Sequence, residues 1–322
     1  MHHVAHLLER YNRTKQKNPA AKLRGYRAST WVPPEYQFNG VALAVNQLAY
    51  SACKSYRDLY FERVQGIPRP QTWPRVVGRA VDAIYKQVHE VARQYCHSTR
   101  AKDFDLVEFL AQEGPGLVEQ VLREELRDID SIQPEPPSLR NQTRLRRALE
   151  KIVRFEARQI SFTIEREMAR ILNQRPGEIF DQHFDFNVQF NVESRKLGFA
   201  SPSTADFFYH QVVLGDIKVG EWQSYYDYTM VAYALAYEEE QGVDMDPGAI
   251  LLVQCPPRRV PSHQGSRIQF LDDARRKRFL ITRDRKLEII ANRIDPGRAE
   301  REEDCDRKCP YWERCWGAGS NG

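Results

Sequence analysis

No run of this 322-residue sequence is apolar for long enough to cross a bilayer. Its longest apolar stretches, Met230 to Ala236 and Ala249 to Val253, fall far short of the roughly 18–20 residues a spanning helix needs. No membrane segment is expected. The apolar core of a secretory signal is missing too, because the N-terminus carries Glu9, Arg10 and Lys15. The expected compartment is therefore the cytoplasm. Lysine is scarce: of the 48 basic side chains 12 are lysine and 36 arginine, and the planar arginine fork suits bidentate contact with phosphate. A GC-rich genome would produce the same bias. There is neither an internal repeat nor a low-complexity tract. Cysteine is sparse, six in all, and a reducing cytoplasm argues against disulfides.

What remains is ordinary globular material. A hydrophobic content of 41% is enough for a full core, in one large domain with an insertion or in two smaller ones. A net charge of +4 permits nucleic-acid binding without requiring it.

The first forty residues read as a short helix and irregular chain. Apolar positions then recur at helical spacing from Val41 to about Val64, where Gly66 and Pro68 stop the pattern. Further helices are predicted over 76–95, 103–130 and 139–173. The Pro-rich segment 132–138 separates the last two. The seam of the 139–173 helix is Leu149, Ile152, Val153, Ile160, Ile164, Met168 and Ile171. Beyond Pro176 the period changes to alternation, predicting strands over 184–192, 204–209, 211–219, 250–254 and 268–271. Helices are predicted over 224–240 and 272–292.

Two constellations carry chemistry. Asp216 and Lys218 stand two apart on a predicted strand, so both leave the same face of a sheet. A hairpin centred near residue 211 would put Asp206 opposite Asp216, close enough for both carboxylates to share a divalent cation. Such a cation supplies what phosphodiester hydrolysis needs, and Lys218 would offset charge on the phosphorus. Taken alone, Asp-x-Lys equally describes a surface ion pair. The second constellation is Cys305, Cys309 and Cys315, which suits soft-metal ligation, either an iron–sulfur cluster or a four-cysteine zinc site. A fourth ligand would be Cys53 or Cys96. Cys255 reads as a core thiol. Tyr311, Trp312 and Trp316 would shield the metal or simply pack.

Several stretches carry a resemblance: Lys22-Leu-Arg-Gly-Tyr26, Val45 to Cys53, Arg57-Asp-Leu-Tyr60 and Gly215-Asp-Ile-Lys-Val-Gly-Glu221. They resemble the iron–sulfur, RecB-like PD-(D/E)XK nucleases of CRISPR adaptation modules, especially the archaeal type I-A variety. That likeness covers the first 65 residues and about 206 to the end. It implies a [4Fe–4S] cluster, with zinc as the alternative, on Cys53, Cys305, Cys309 and Cys315. It further implies Mg²⁺ or Mn²⁺ on Asp82, Asp206 and Asp216, with Asp206, Asp216, Lys218 and Tyr233 as catalytic residues. Asp82 stands where the family usually has a histidine, and His89, about 10.5 Å further along a helix, does not replace it. Thr229 stands where the family has the glutamine of a Gln-x-x-x-Tyr motif. The spacing of Tyr226, Met230, Tyr233 and Tyr237 by itself reads as core packing. Three residues separate Cys305 from Cys309, against the family's usual two.

The implied fold is α/β, a restriction-endonuclease-like mixed sheet flanked by helices, with a helical N-terminal region, a helical insertion and a C-terminal clamp. The implied division is an N-terminal helical segment 1–75, a helical region 76–175, a nuclease core 176–295 and a cysteine cluster 296–322. The implied activity is a metal-dependent deoxyribonuclease that trims single-stranded DNA or overhangs into CRISPR spacers. Its partners would be DNA, the CRISPR integrase and other adaptation proteins, with a homo-oligomer left open. The rival reading is a non-catalytic DNA-binding or scaffold subunit. One feature has no family parallel: Arg140, Arg144, Arg147, Lys151, Arg154 and Arg158 form one stripe of roughly 27 Å on a helix, with Glu150 and Glu156 beside it. It would be a DNA track, an integrase-docking surface or a solvated face.

Overall fold

The computed structural model describes residues 41–50, 53–132, 136–171, 174–184, 186–190, 197–200, 203–209, 213–220, 222–241, 245–253, 267–300, 309 and 311–317. The helix expected in the first forty residues lies outside them.

Two short helices, α1 (Val45–Ala49) and α2 (Arg57–Arg63), lead into four more: α3 (Trp73–Ser98), α4 (Leu106–Glu125), α5 (Leu139–Arg170) and α6 (Pro176–His183). The sheet follows, with β1 (Phe186–Phe190), β2 (Ser203–Tyr209), β3 (Val213–Val219), β4 (Pro247–Val253) and β5 (Arg267–Phe270). Between β3 and β4 runs α7 (Tyr226–Gln241); α8 (Asp273–Asn292) and α9 (Trp312–Trp316) follow β5. Local chemistry marks the boundaries. Pro74 pre-sets the first turn of α3. Asp105, Ser138 and Asp272 accept the orphan amides of Glu108, Asn141 and Arg275 at the starts of α4, α5 and α8.

The five strands lie in chain order, antiparallel except for β3 and β4, which are parallel and joined through α7. Each sheet face has its own core. Phe207, Val213 and Ile217 pack with α3, α4, α5 and α6, whereas Phe208, Leu214, Ile250 and Leu252 pack with α1, α7 and α8. The period-2 alternation of β3 thus sends its odd positions to one layer and Leu214, Asp216 and Lys218 to the other. This is the expected mixed sheet with flanking helices and a helical N-terminal region.

Buried charges fasten the second layer. Arg276 of α8 donates to both oxygens of Glu238 of α7 at 2.7 Å, and also to the carbonyls of Leu271 and Met245. Every strong donor of that guanidinium finds an acceptor, which is what makes its burial tolerable. Lys286, also on α8, donates to the carbonyls of Gln47, Leu48 and Tyr50 at 2.9, 2.7 and 2.7 Å. It caps the end of α1.

Several expectations need correction. The helix expected from Val41 to Val64 is two, broken where Tyr56 takes a left-handed φ of 64°. The helix at 176–183 was not foreseen, because Pro176, read as a stop, is its first residue. The 103–130 helix is shorter, flanked by 3-10 turns at Ala101–Asp103 and Ile129–Ser131. Ile171 is 47% exposed and leaves the seam of α5, which ends at Arg170. Glu156 is not a surface neighbour of the arginine stripe; it is buried, and its Oε2 lies 3.0 Å from Nε2 of His89.

At Gly215 an added Cβ would overlap the Phe207 ring across the β2–β3 pair. Gly215→Ala is expected to lower stability by roughly 1–3 kcal/mol. Thermal melts of Gly215→Ala, Phe207→Leu and the double variant should show a double loss smaller than the sum; additive losses would contradict this contact.

Candidate active site

β2 and β3 build the centre of the site. Phe207 lies opposite Gly215 and Tyr209 opposite Val213, and the same register one step further sets Asp206 against Asp216, as the hairpin reading expected. The amide of Ile217 donates to Oδ2 of Asp206 at 2.7 Å, which orients that carboxyl. Asp216 is 2% exposed and pairs with the ammonium of Lys218. β3 passes from buried to half-buried at Lys218, so the group opens toward solvent at the carboxyl end of the strand.

α3 adds the third carboxylate. Asp82 is close enough to raise the pKa of Asp206, and its Oδ2 accepts from Lys86 at 2.8 Å. The same ammonium stands 4.0 Å from Oδ1 of Asp206. Lys86 escaped the sequence reading, although an Asp followed by a Lys four residues on is a recognisable helical ion pair. Tyr226, also unforeseen as part of the site, starts α7 within electrostatic reach of Lys218. Tyr233 is buried one face-turn along the same helix and senses Asp216, Asp206 and Asp82. It is therefore core and site wall at once.

The electrostatics follow from burial. Burial pushes the Asp206 carboxyl well above its ordinary range, and the hydrogen-bonded Asp216 beside it pushes further, so Asp206 takes up a proton more readily than an isolated aspartate. For Lys218, burial works against the charge, but Asp216 and Asp206 outweigh it and the ammonium is retained. Burial, followed by the three carboxylates, keeps Tyr233 a phenol.

Among the described residues no three His, Cys, Asp or Glu side chains converge on one ion-binding point; Lys86 supplies the positive charge between Asp82 and Asp206. The donor chemistry nonetheless fits a hard divalent cation. All three candidate ligands are carboxylates, the Asp206 carboxyl is crowded by Asp216 and Asp82 in a way a cation would relieve, and Oδ1 of Asp82 is buried with no hydrogen-bond partner among the described residues.

The cysteines gather elsewhere. Cys53 lies between α1 and α2, and Cys309 and Cys315 lie before and within α9. Burial pushes the Cys309 thiol up to about 11, with Asp58, Cys53 and Cys315 near enough to add to the shift. Cys315 in turn reaches the Arg57 guanidinium, which is held by both oxygens of Asp295 at 2.7–3.1 Å. Tyr311 is buried here with Phe61 and donates to the carbonyl of Ile67 at 3.2 Å, and Trp316 packs beside them. Cys96 is in the α3 core beside Asp181, its thiol pushed up to about 12 by burial. Cys305 and Cys255 lie outside the described residues.

His89 is a core residue against Glu156. On α5, Arg140, Arg144, Arg147, Arg154 and Arg158 are exposed and Lys151 is half-buried.

The raised pKa of Asp206 makes stability depend on pH. A raised carboxyl pKa in the folded state means that state binds the extra proton, so its contribution is present below about 3.8 and is lost as pH rises through the raised value. In chelator, wild-type stability should therefore fall relative to Asp206→Asn across that window, read from denaturant titrations at successive pH values. Parallel curves would contradict the raised carboxyl.

Comparison with known proteins places these features. The "CRISPR-associated exonuclease Csa1" of Saccharolobus solfataricus is 21% identical over 321 residues, covering 96% of each chain. Its namesake from Thermoproteus tenax is 28% identical over 320 residues, covering 97% of each. Among solved structures, a chain from Eubacterium rectale described as a candidate exonuclease aligns over 84% of this chain and 90% of its own. Its identity is 13% and its TM-score 0.36, too loose a likeness to inform the fold. The family model for CRISPR-associated exonuclease Csa1 matches residues 1–318, so this chain belongs to that family.

Proposed function

We propose that this chain is a metal-dependent deoxyribonuclease of the PD-(D/E)XK kind that trims single-stranded DNA or overhangs destined to become CRISPR spacers. Membership in an exonuclease family supports the reaction class. The observation that carries the reading is the half-buried Asp206 beside the buried Asp216, with Lys218, on adjacent strands at the opening end of β3.

Asp206, Asp216 and Asp82 would hold Mg²⁺ or Mn²⁺, which when bound supplies an activated water and neutralises phosphate charge. Lys218, kept cationic and aimed by Asp216, offsets the negative charge that grows on the phosphoryl oxygens. Tyr233 and Tyr226 line this wall as neutral phenols and exclude water from the reacting group.

Cys53, Cys305, Cys309 and Cys315 would hold a [4Fe–4S] cluster, with zinc as the alternative. The proximity of three of the four thiols supports this. Such a cluster joins residue 53 to the C-terminal segment, and its binding energy becomes folding energy.

A second reading, a non-catalytic DNA-binding subunit, draws on Lys86, whose ammonium holds Asp82 and stands near Asp206. One experiment separates the two. Anaerobically purified protein is incubated with end-labelled single-stranded DNA in Mg²⁺, Mn²⁺ or chelator, beside Asp216→Ala and Lys218→Ala. We expect metal-dependent cleavage, reduced about 100-fold or more in each variant. Equal activity in the variants would overturn the catalytic assignment.

For the cluster, Cys315→Ser should abolish the visible iron–sulfur absorbance of the anaerobic preparation and lower its melting temperature. Stoichiometric zinc in the wild-type protein would replace the iron reading.

A further inference from the structure

Helix α5 has two unlike faces. Leu145, Leu149, Ile152, Val153, Ile160 and Ile164 are buried against the helical layer, while the opposite face exposes Arg140, Arg144, Arg147, Arg154 and Arg158. None of these five arginines has an acidic partner among the described residues. Its neighbour off the stripe, Arg146, does pair, with Glu119 of α4. These five arginines, at intervals of four, three, seven and four residues, lie in a straight row along the helix axis, and five like charges on one rigid rod repel one another unless something anionic lies along them. Phe162 continues the same face one turn beyond Arg158 and is 51% exposed.

The position of the row relative to the active site follows from the packing. Arg79 of α3 pairs with Glu125, near the end of α4, and Arg146 of α5 pairs with Glu119, while Gly114 touches Val153. α4 therefore runs antiparallel to both neighbours, and α3 and α5 run parallel. With His89 against Glu156, Asp82 stands level with the middle of the arginine row. The row points away from α3, on the outer side of the layer, so whatever lies on it is gripped at a distance from Asp206 and Asp216.

We propose that this outer face of α5 binds the sugar–phosphate backbone of the DNA whose end is being trimmed, holding the body of the substrate apart from the site of cleavage. The surface has the charge for it and no need of base identity. Phosphates repeat at about 3.4 Å per nucleotide along a duplex strand, so roughly 27 Å of helix faces several of them. Arg over Lys at five of the six positions favours bidentate phosphate contact. The inference adds a second contact to the nuclease reading, and it stands or falls on binding alone.

The test is therefore made without catalysis. Binding of a fluorescent duplex with a single-stranded overhang is measured in chelator at several salt concentrations for the wild type and for Arg140→Glu/Arg147→Glu/Arg154→Glu. A control, Arg100→Glu/Arg123→Glu/Arg127→Glu, makes the same charge change at arginines off the row, and circular dichroism checks that all three proteins are folded. Loss of three phosphate contacts should make the slope of log K against log salt shallower by about 3 in the row variant and leave the control near wild type. An unchanged slope, as an acidic protein partner on this face would leave it, overturns the proposal. So does an equal change in the control, which would reduce the effect to net charge.

Discussion

Holding two carboxylates side by side out of water is the constraint on which the rest of this structure depends. Like charges at hydrogen-bonding distance repel strongly where the dielectric is low, so the Asp206 carboxyl is pushed above its ordinary range and Asp216 leans on Lys218. Such an arrangement survives only on a backbone that cannot relax away from it. The β2–β3 register supplies that backbone, and the amide of Ile217 removes the remaining freedom of Asp206. The sheet is in turn rigid because both its faces are covered, by α3 to α6 on one side and by α1, α7 and α8 on the other. Open α/β sheets place their ligands at the carboxyl ends of strands, and here the acidic pair lies where β3 starts to emerge.

The covering of the second face reaches back to the beginning of the described chain. Lys286 spends its three donors on carbonyls at the end of α1, and Arg57 clasps Asp295, so α8 and the segment after it are tied to residues 47–57 by charged hydrogen bonds. Cys53, Cys309 and Cys315 gather beside this clasp. A cluster there would not have to create the meeting of the chain ends; it would lock a meeting that side chains already favour. This explains how an altered spacing between cysteines can be tolerated, since the approach of the segments does not rest on metal geometry alone.

The parts of this arrangement that are periodic were legible in the sequence. Alternation revealed the strands, and Asp206, Asp216 and Lys218 could be put on one face from spacing alone, because register converts position into direction. Helical spacing likewise separated the arginine row from the buried seam of α5. What was not legible depended on tertiary context. Pro176 read as a stop, but proline stops and starts helices with equal ease, and only packing against α3 decides. Tyr56 breaks the first helical pattern through a left-handed φ that nothing in Tyr announces. Glu156 looked like a surface charge until His89, 67 residues away in the chain, turned out to be its partner. Tyr226 had only a core reading because aromatic spacing does not say which ring faces a carboxylate.

Lys86 sharpens the meaning of the departure at position 82. A histidine at position 82 would present a neutral donor and would have no use for an ammonium four residues on. An aspartate there does, and Lys86 neutralises it. The pair is a partly exposed i,i+4 contact, a kind worth only about 0.3–0.5 kcal/mol. That is small beside the attraction between a divalent cation and three carboxylates, so Asp82 can leave Lys86 at little cost when such a cation arrives. The aspartate and the lysine are then best regarded as one substitution: together they balance charge at the site, and with a hard cation bound the aspartate would give a third oxygen ligand. On this argument the exchange of histidine for aspartate changes which cation the site prefers and how much charge it must bring, rather than whether the site can work.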